Sequence, residues 1–225
     1  MTSSRTSARP GRARDPARTR GSLLAAGVRL FAERGYHGVS VDEIVGQARC
    51  NKRMLYHYFG DKEGLYVEVL RAVYARLEAS EMSPLPARGT TEQKIRKLIA
   101  RHFDYLVHNP DFVKLLLWEN LNEGRLLAKH PGLLSKAPVI ERLQSILEHG
   151  RERGELVWSG DVRHLLVLMM GMCFIYCSNR YTLRQAVGLD VLRPRVRAEG
   201  LRLAQDAFLA AIGLRSVGSP RCRPR

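Results

Sequence analysis

Helical periodicity runs through nearly the whole chain, and it narrows the fold more than any other feature. From Leu23 onward apolar residues recur at three- and four-residue spacing. No stretch alternates apolar and polar residues between glycine-rich turns, as a half-buried strand would. The expectation is an all-α fold, and 225 residues with 45% hydrophobic content are enough to bury a core.

Start and stop signals divide the periodic segments. Leu23, Leu24, Gly27, Leu30 and Phe31 share one face and Gly35 stands where a left-handed stop is needed, which predicts a first helix over about 16–34. Ser40 with Glu43 forms a capping box, and Val39 with Ile44 a hydrophobic staple, opening a short second helix to about Ala48. Asn51 caps a third, in which Met54, Leu55, Tyr58 and Phe59 turn inward while Lys52, Arg53 and His57 turn out; Gly60 ends it. Asp61 then caps a long fourth helix that the Ser83-Pro84-Leu85-Pro86 stretch breaks. Beyond it, a Thr90–Gln93 capping box opens a helix with Ile95, Leu98, Ile99, His102, Tyr105 and Leu106 on one stripe. Asn109-Pro110-Asp111 stops that helix and starts the next, which runs to the Asn122-Glu123-Gly124 turn. Further helices are expected over about 136–153, 161–180 and 194–212. The segment 161–180 is apolar nearly all round, so it must be covered on every side, and a second copy of the chain is the expected cover: two helices from each subunit make a four-helix interface.

The charge is unevenly placed. Of the net +15, residues 1–20 carry +5 and residues 215–225 carry +4, leaving +6 for the body. Clustered positive charge points to a polyanionic partner. The N-terminal segment, rich in Ser, Arg, Pro and Gly, reads as a disordered arm. A mitochondrial transit peptide shares that composition, but the tail lacks the Leu, Phe or Val of an amphipathic helix. The longest apolar run, Leu165 to Cys177, is too short to span a bilayer of about 30 Å, so a soluble, cytoplasmic protein with no membrane partner is expected. Cys50, Cys173, Cys177 and Cys222 show neither zinc nor disulfide spacing, although Cys173 and Cys177 share a helix face as small apolar fillers.

The second and third helices, joined by a tight turn, have the outline of a helix-turn-helix that reads double-stranded DNA. The third opens with Asn51, Lys52 and Arg53 and carries Tyr56, His57 and Tyr58. Cations neutralise phosphate, while hydroxyls and helix N-terminal amides give oriented hydrogen bonds. At these residues the chain resembles the tetracycline-repressor (TetR) family. The likeness lies in Leu30-Phe31-Ala32-Glu33-Arg34-Gly35-Tyr36, in Val39-Ser40-Val41-Asp42-Glu43-Ile44, and in Leu55-Tyr56-His57-Tyr58-Phe59-Gly60-Asp61-Lys62-Glu63-Gly64-Leu65, within about 18–70. The resemblance implies that Ser40 and Asn51 hold phosphates from the starts of helices two and three, and that Lys52 and Arg53 approach the major groove. Tyr56, His57 and Tyr58 would reach backbone or base edges, and Lys62 a further phosphate. The chain departs from the family pattern at Arg49, where the turn usually has Gly, at Cys50, usually aliphatic, and at Asn51, commonly Ser.

The implied architecture is a basic tail (1–17), a three-helix DNA-binding domain (18–62), a ligand-binding and dimerisation domain (63–214) and a second basic tail (215–225). The phrase Leu117-Trp118-Glu119-Asn120-Leu121 is similar to the pyrimidine-utilisation type of regulator within the family. Residues with polar tips on apolar stripes, Tyr105, Trp118, Asn122, Met172 and Tyr176, are the expected contacts for a small-molecule effector; for each, ordinary core packing is the alternative. No nucleophile–base pair, glycine-rich phosphate loop or metal-ligand spacing is present, so neither enzyme activity nor a cofactor is expected. The reading is a dimeric, ligand-responsive repressor of a palindromic operator. A constitutive DNA-binding dimer without an effector is the alternative.

Overall fold

The computed structural model describes residues 16–214. The expected basic tails, with Cys222, lie outside the described residues except for Pro16 and Ala17. The described chain is helical throughout with no strand, and it divides into two compact units, one ending at Val69 and the other starting at Leu70.

The first unit is built from α1 (Pro16–Arg34), α2 (Val41–Ala48), α3 (Lys52–Phe59) and the opening of α4 (Lys62–Glu81). Its core gathers Leu23, Phe31, Ile44, Leu55 and Leu65, all fully buried. Phe31, Tyr36 and Tyr66 pack ring against ring, with Phe31 meeting Tyr66 edge-on at 4.9 Å. Burying each such side chain stabilises the fold by roughly 1.5–3 kcal/mol. Gly27 lets α1 approach α4: a Cβ there would lie 3.0 Å from Val69. The first unit ends at Val69 and so takes in the opening two turns of α4. Asp61 caps α4 as expected, its Oδ1 accepting from the Gly64 amide at 2.7 Å.

The second unit continues α4 and adds α5 (Thr91–His108), α6 (Pro110–Leu121), α7 (Arg125–Lys129), α8 (Ala137–Glu152), α9 (Val162–Ser178), α10 (Arg180–Ala186) and α11 (Pro194–Ala211). The stripe Ile95, Leu98, Ile99, His102, Tyr105 and Leu106 on α5 is wholly buried, because α8, α9 and α11 all pack against that helix. The end of α4 is fastened by polar groups as well as by the buried Leu77. Glu81, fully buried, accepts from His102 Nδ1 at 2.9 Å and pairs with Lys136 at 2.7 Å, and Arg142 donates to the carbonyls of Glu81 and Ser83.

Two short helices, α7 and α10, fall between the expected helices, in segments to which no element was assigned. The helix expected to reach Arg180 ends at Ser178, whose hydroxyl donates to the Phe174 carbonyl while Asn179 closes the last turn. The chain then bends by 73° into α10. Among the described residues no single helix is long and apolar enough to cross a membrane.

Candidate nucleic-acid interface and effector cavity

The capping box predicted for α2 is complete. Ser40 Oγ accepts from the Glu43 amide, and Glu43 Oε2 accepts from the Ser40 amide at 2.8 Å. Those bonds, first from the Ser40 backbone and then from Arg34 at 2.6 Å, bring the Glu43 carboxyl down to about 2. Asn51 caps α3 in the same manner, its Oδ1 accepting from the Arg53 amide at 2.8 Å. Each cap satisfies one first-turn amide of its helix, Glu43 in α2 and Arg53 in α3, and the partial positive charge of a helix start favours an anion there. Between the two helices Arg49 takes the left-handed conformation, φ 52° and ψ 43°.

Leu55 and Phe59, one turn apart on α3, are buried and fix that helix's orientation. Lys52, Arg53, Tyr56 and His57 are therefore exposed. Tyr58 is half-buried, its ring set edge-on to His57 at 5.0 Å and Phe59 at 6.3 Å. Lys52 pairs with Asp42 at 3.0 Å, which ties the start of α3 to the first turn of α2. Lys62 lies 4.4 Å over the Tyr36 ring; burial lowers its pKa, and the nearby Glu43 charge opposes that shift. The eight residues expected to meet DNA thus occupy the opening of α2, the outer side of α3 and the opening of α4. Gly64 makes the α3–α4 junction possible, since a Cβ there would stand 2.0 Å from the Phe59 carbonyl oxygen.

In the second unit a cavity of about 180 Å³ opens among α5, α6, α9 and α10. Phe103, Leu106, Val113, Leu117 and Tyr176 line it together with Lys114, Cys177, Arg180 and Tyr181. Of the five residues expected to touch an effector, Tyr176 lies in this wall, its ring 5.7 Å from Phe103. Tyr105 faces instead into the core, where its hydroxyl donates to the Val73 carbonyl and burial pushes its pKa up to about 12. Asn122 closes α6 by donating to the Trp118 carbonyl at 2.9 Å; Trp118 and Met172 are half-buried outside the cavity wall. Lys114 and Arg180 escaped the sequence reading. Periodicity marks Lys114 only as a polar break in an apolar helix, and Arg180 joins the wall through the bend before α10. A wider polar concavity of about 590 Å³ lies between α4 and the loop before α8, with Tyr74 and Lys136 in its wall.

The chain matches the family model for bacterial regulatory proteins of the tetR family over residues 23–69, and the tetracyclin repressor-like C-terminal domain over residues 92–208. The chain belongs to the TetR family. It is 33% identical over 205 residues to the HTH-type transcriptional repressor NicS of Pseudomonas putida, an alignment covering 91% of this chain and 96% of that one. It is 32% identical to the HTH-type transcriptional repressor AcnR of Corynebacterium diphtheriae, covering 61% and 70%. Among solved structures, the fatty acid degradation regulator FadR from Bacillus halodurans superposes with a TM-score of 0.68 at 20% identity, over 88% of this chain and 97% of that one. That likeness shows the fold. As a TetR-family member the protein is a DNA-binding transcriptional regulator, and its relatives are regulators rather than enzymes.

Proposed function

We propose that the protein is a ligand-responsive repressor that binds a roughly palindromic operator as a two-fold dimer and releases it when a small molecule enters the second unit. The observation that carries the reading is the outer side of α3, where Lys52, Arg53, Tyr56 and His57 stand exposed beside two capped helix starts. Ser40 and Asn51 hold phosphates there from the starts of α2 and α3, Lys62 contributes a cation beside them, and Tyr58 lends its edge. Dimerisation is supported by an apolar strip left open on α9 and α11: Val167 is 66% exposed, Ile175 45% and Leu203 50%. Gly171 lies in the same strip with nothing within 4 Å of an added Cβ, which leaves room for a partner helix. The names of NicS and AcnR favour repression. Release would act through α4, whose residues belong in turn to both units, and a coupling of about 1–3 kcal/mol would change DNA affinity roughly five- to 150-fold.

Selecting bound fragments from random DNA and sequencing them tests the reading. An inverted repeat is expected, with half-sites about one helical turn apart or a multiple of it. Recovery of a single asymmetric half-site bound by a monomer would overturn it.

A further inference from the structure

The cavity lined by Phe103, Leu106, Leu117 and Tyr176 has two cations in its wall and no acid. We infer that its ligand is a small organic anion, a monocyclic aromatic carboxylate, with its ring among those side chains and its carboxylate met by Lys114 and Arg180. The inference rests on the effector reading above and names the ligand class for that site.

The charge pattern carries the argument. Lys114 has no carboxylate partner among the described residues, and of the three acids next in sequence to wall residues Asp104 is exposed, Asp111 pairs with Arg76 at 2.6 Å, and Asp190 faces Arg193 at 3.8 Å. Arg180 donates to the Tyr181 hydroxyl at 2.6 Å and lies over that ring, leaving further N–H groups of its guanidinium to donate. Its charge reaches into the wall, where it opposes the burial that pushes the Cys177 thiol up to about 11. A neutral apolar guest would exclude water from both cations without offering a partner, which is costly, and an amine would add a third like charge. A carboxylate supplies charge-assisted hydrogen bonds to both. Size and shape set the rest of the molecule. An apolar cavity of about 150 Å³ holds benzene, so 180 Å³ suits one substituted ring, and the aromatic edges of Phe103, Tyr176 and Tyr181 favour a flat guest.

Calorimetric titration of the full chain with benzoate, benzamide, benzylamine and hexanoate tests this. Benzoate should bind roughly tenfold or more tightly than benzamide, and benzylamine should not bind. Lys114→Met and Arg180→Met should each weaken benzoate by roughly tenfold while melting temperature and affinity for the selected DNA stay unchanged. Lys114→Glu should reverse the preference toward benzylamine, which loss of folding cannot do. Benzamide binding as well as benzoate, benzoate failing to bind at millimolar concentration, or benzoate affinity unmoved in both Met variants would overturn the inference; hexanoate matching benzoate would overturn its aromatic part. A separate measurement adds benzoate to the protein–DNA complex. Charge-dependent binding without DNA release would overturn the effector reading and leave the ligand class standing.

Discussion

Lys52 and Arg53 are neighbours on α3 with different electrostatic surroundings. Lys52 is held by Asp42 at 3.0 Å, so on meeting phosphate it exchanges one anion for another, whereas Arg53 has no carboxylate partner among the described residues. Arg53→Ala is therefore expected to weaken DNA binding more than Lys52→Ala, and to lower the slope of log affinity against log salt by about one unit. Asp42→Asn should strengthen binding. Filter or gel-shift titrations at several salt concentrations read all three, and an Asp42→Asn protein with weaker binding would show that the ion pair holds the docking geometry. Glu81 poses a residue-scale question of a different kind. Burial raises its pKa, but the hydrogen bond from His102 and the charge of Lys136 outweigh that and hold the carboxyl below the usual glutamate range. A group depressed in the folded state stabilises fully above its unfolded value, and the contribution is lost as pH falls through the folded one. Melting temperature should thus drop as pH is lowered below about 4.3, and Glu81→Gln, already destabilised at neutral pH, should show a shallower drop. Equal acid sensitivity in the two proteins would assign the effect to other carboxylates.

Elements show where local chemistry suffices and where it does not. The starts of α2, α3 and α5 were legible because a cap is a contact between residues two or three apart: Ser40 with Glu43, Asn51 with Arg53, Thr90 with Gln93. The turn between α2 and α3 was marked by Arg49 standing where the family has Gly, and Arg49 does adopt a left-handed conformation at φ 52°. A non-glycine residue there costs roughly 1 kcal/mol, so Arg49→Gly is expected to raise stability by about 0.5–1 kcal/mol in denaturant unfolding. A destabilised variant would mean that the arginine side chain itself holds the turn. By contrast, α7 and α10 have no cap signal: Gly124 and Asn179 at their N-cap positions make no side-chain capping bond. The two helices are five and seven residues long and bury no residue, so no apolar stripe marks them in the sequence.

For the molecule as a whole, the apolar sequence of α9 raised the question of what covers it. One side is covered internally, with Leu165, Leu166, Met169 and Cys173 buried, while Val167, Leu168 and Ile175 remain exposed. If that strip joins two copies, Val167→Glu combined with Ile175→Glu should convert a sedimenting dimer to a monomer at micromolar concentration. Affinity for the inverted repeat should fall with it, because the half-sites would no longer be held together. A double variant that still sediments as a dimer would place the interface elsewhere.

The sequence by itself determined the helical class, most helix boundaries, the caps and the chemistry of the exposed side of α3. Each of these depends on residues within a few positions of one another, and Leu55 and Phe59 settle by burial alone which side faces out. Only the tertiary structure decided the cavity and the polar fastening of α4. Lys114 and Arg180 are 66 positions apart in the chain yet share one wall, and Tyr105, which has the same pattern as Tyr176, goes to the core because its hydroxyl finds the Val73 carbonyl. Periodicity reports which side of a helix is apolar. Which neighbour that side meets is fixed by how helices distant in sequence pack together.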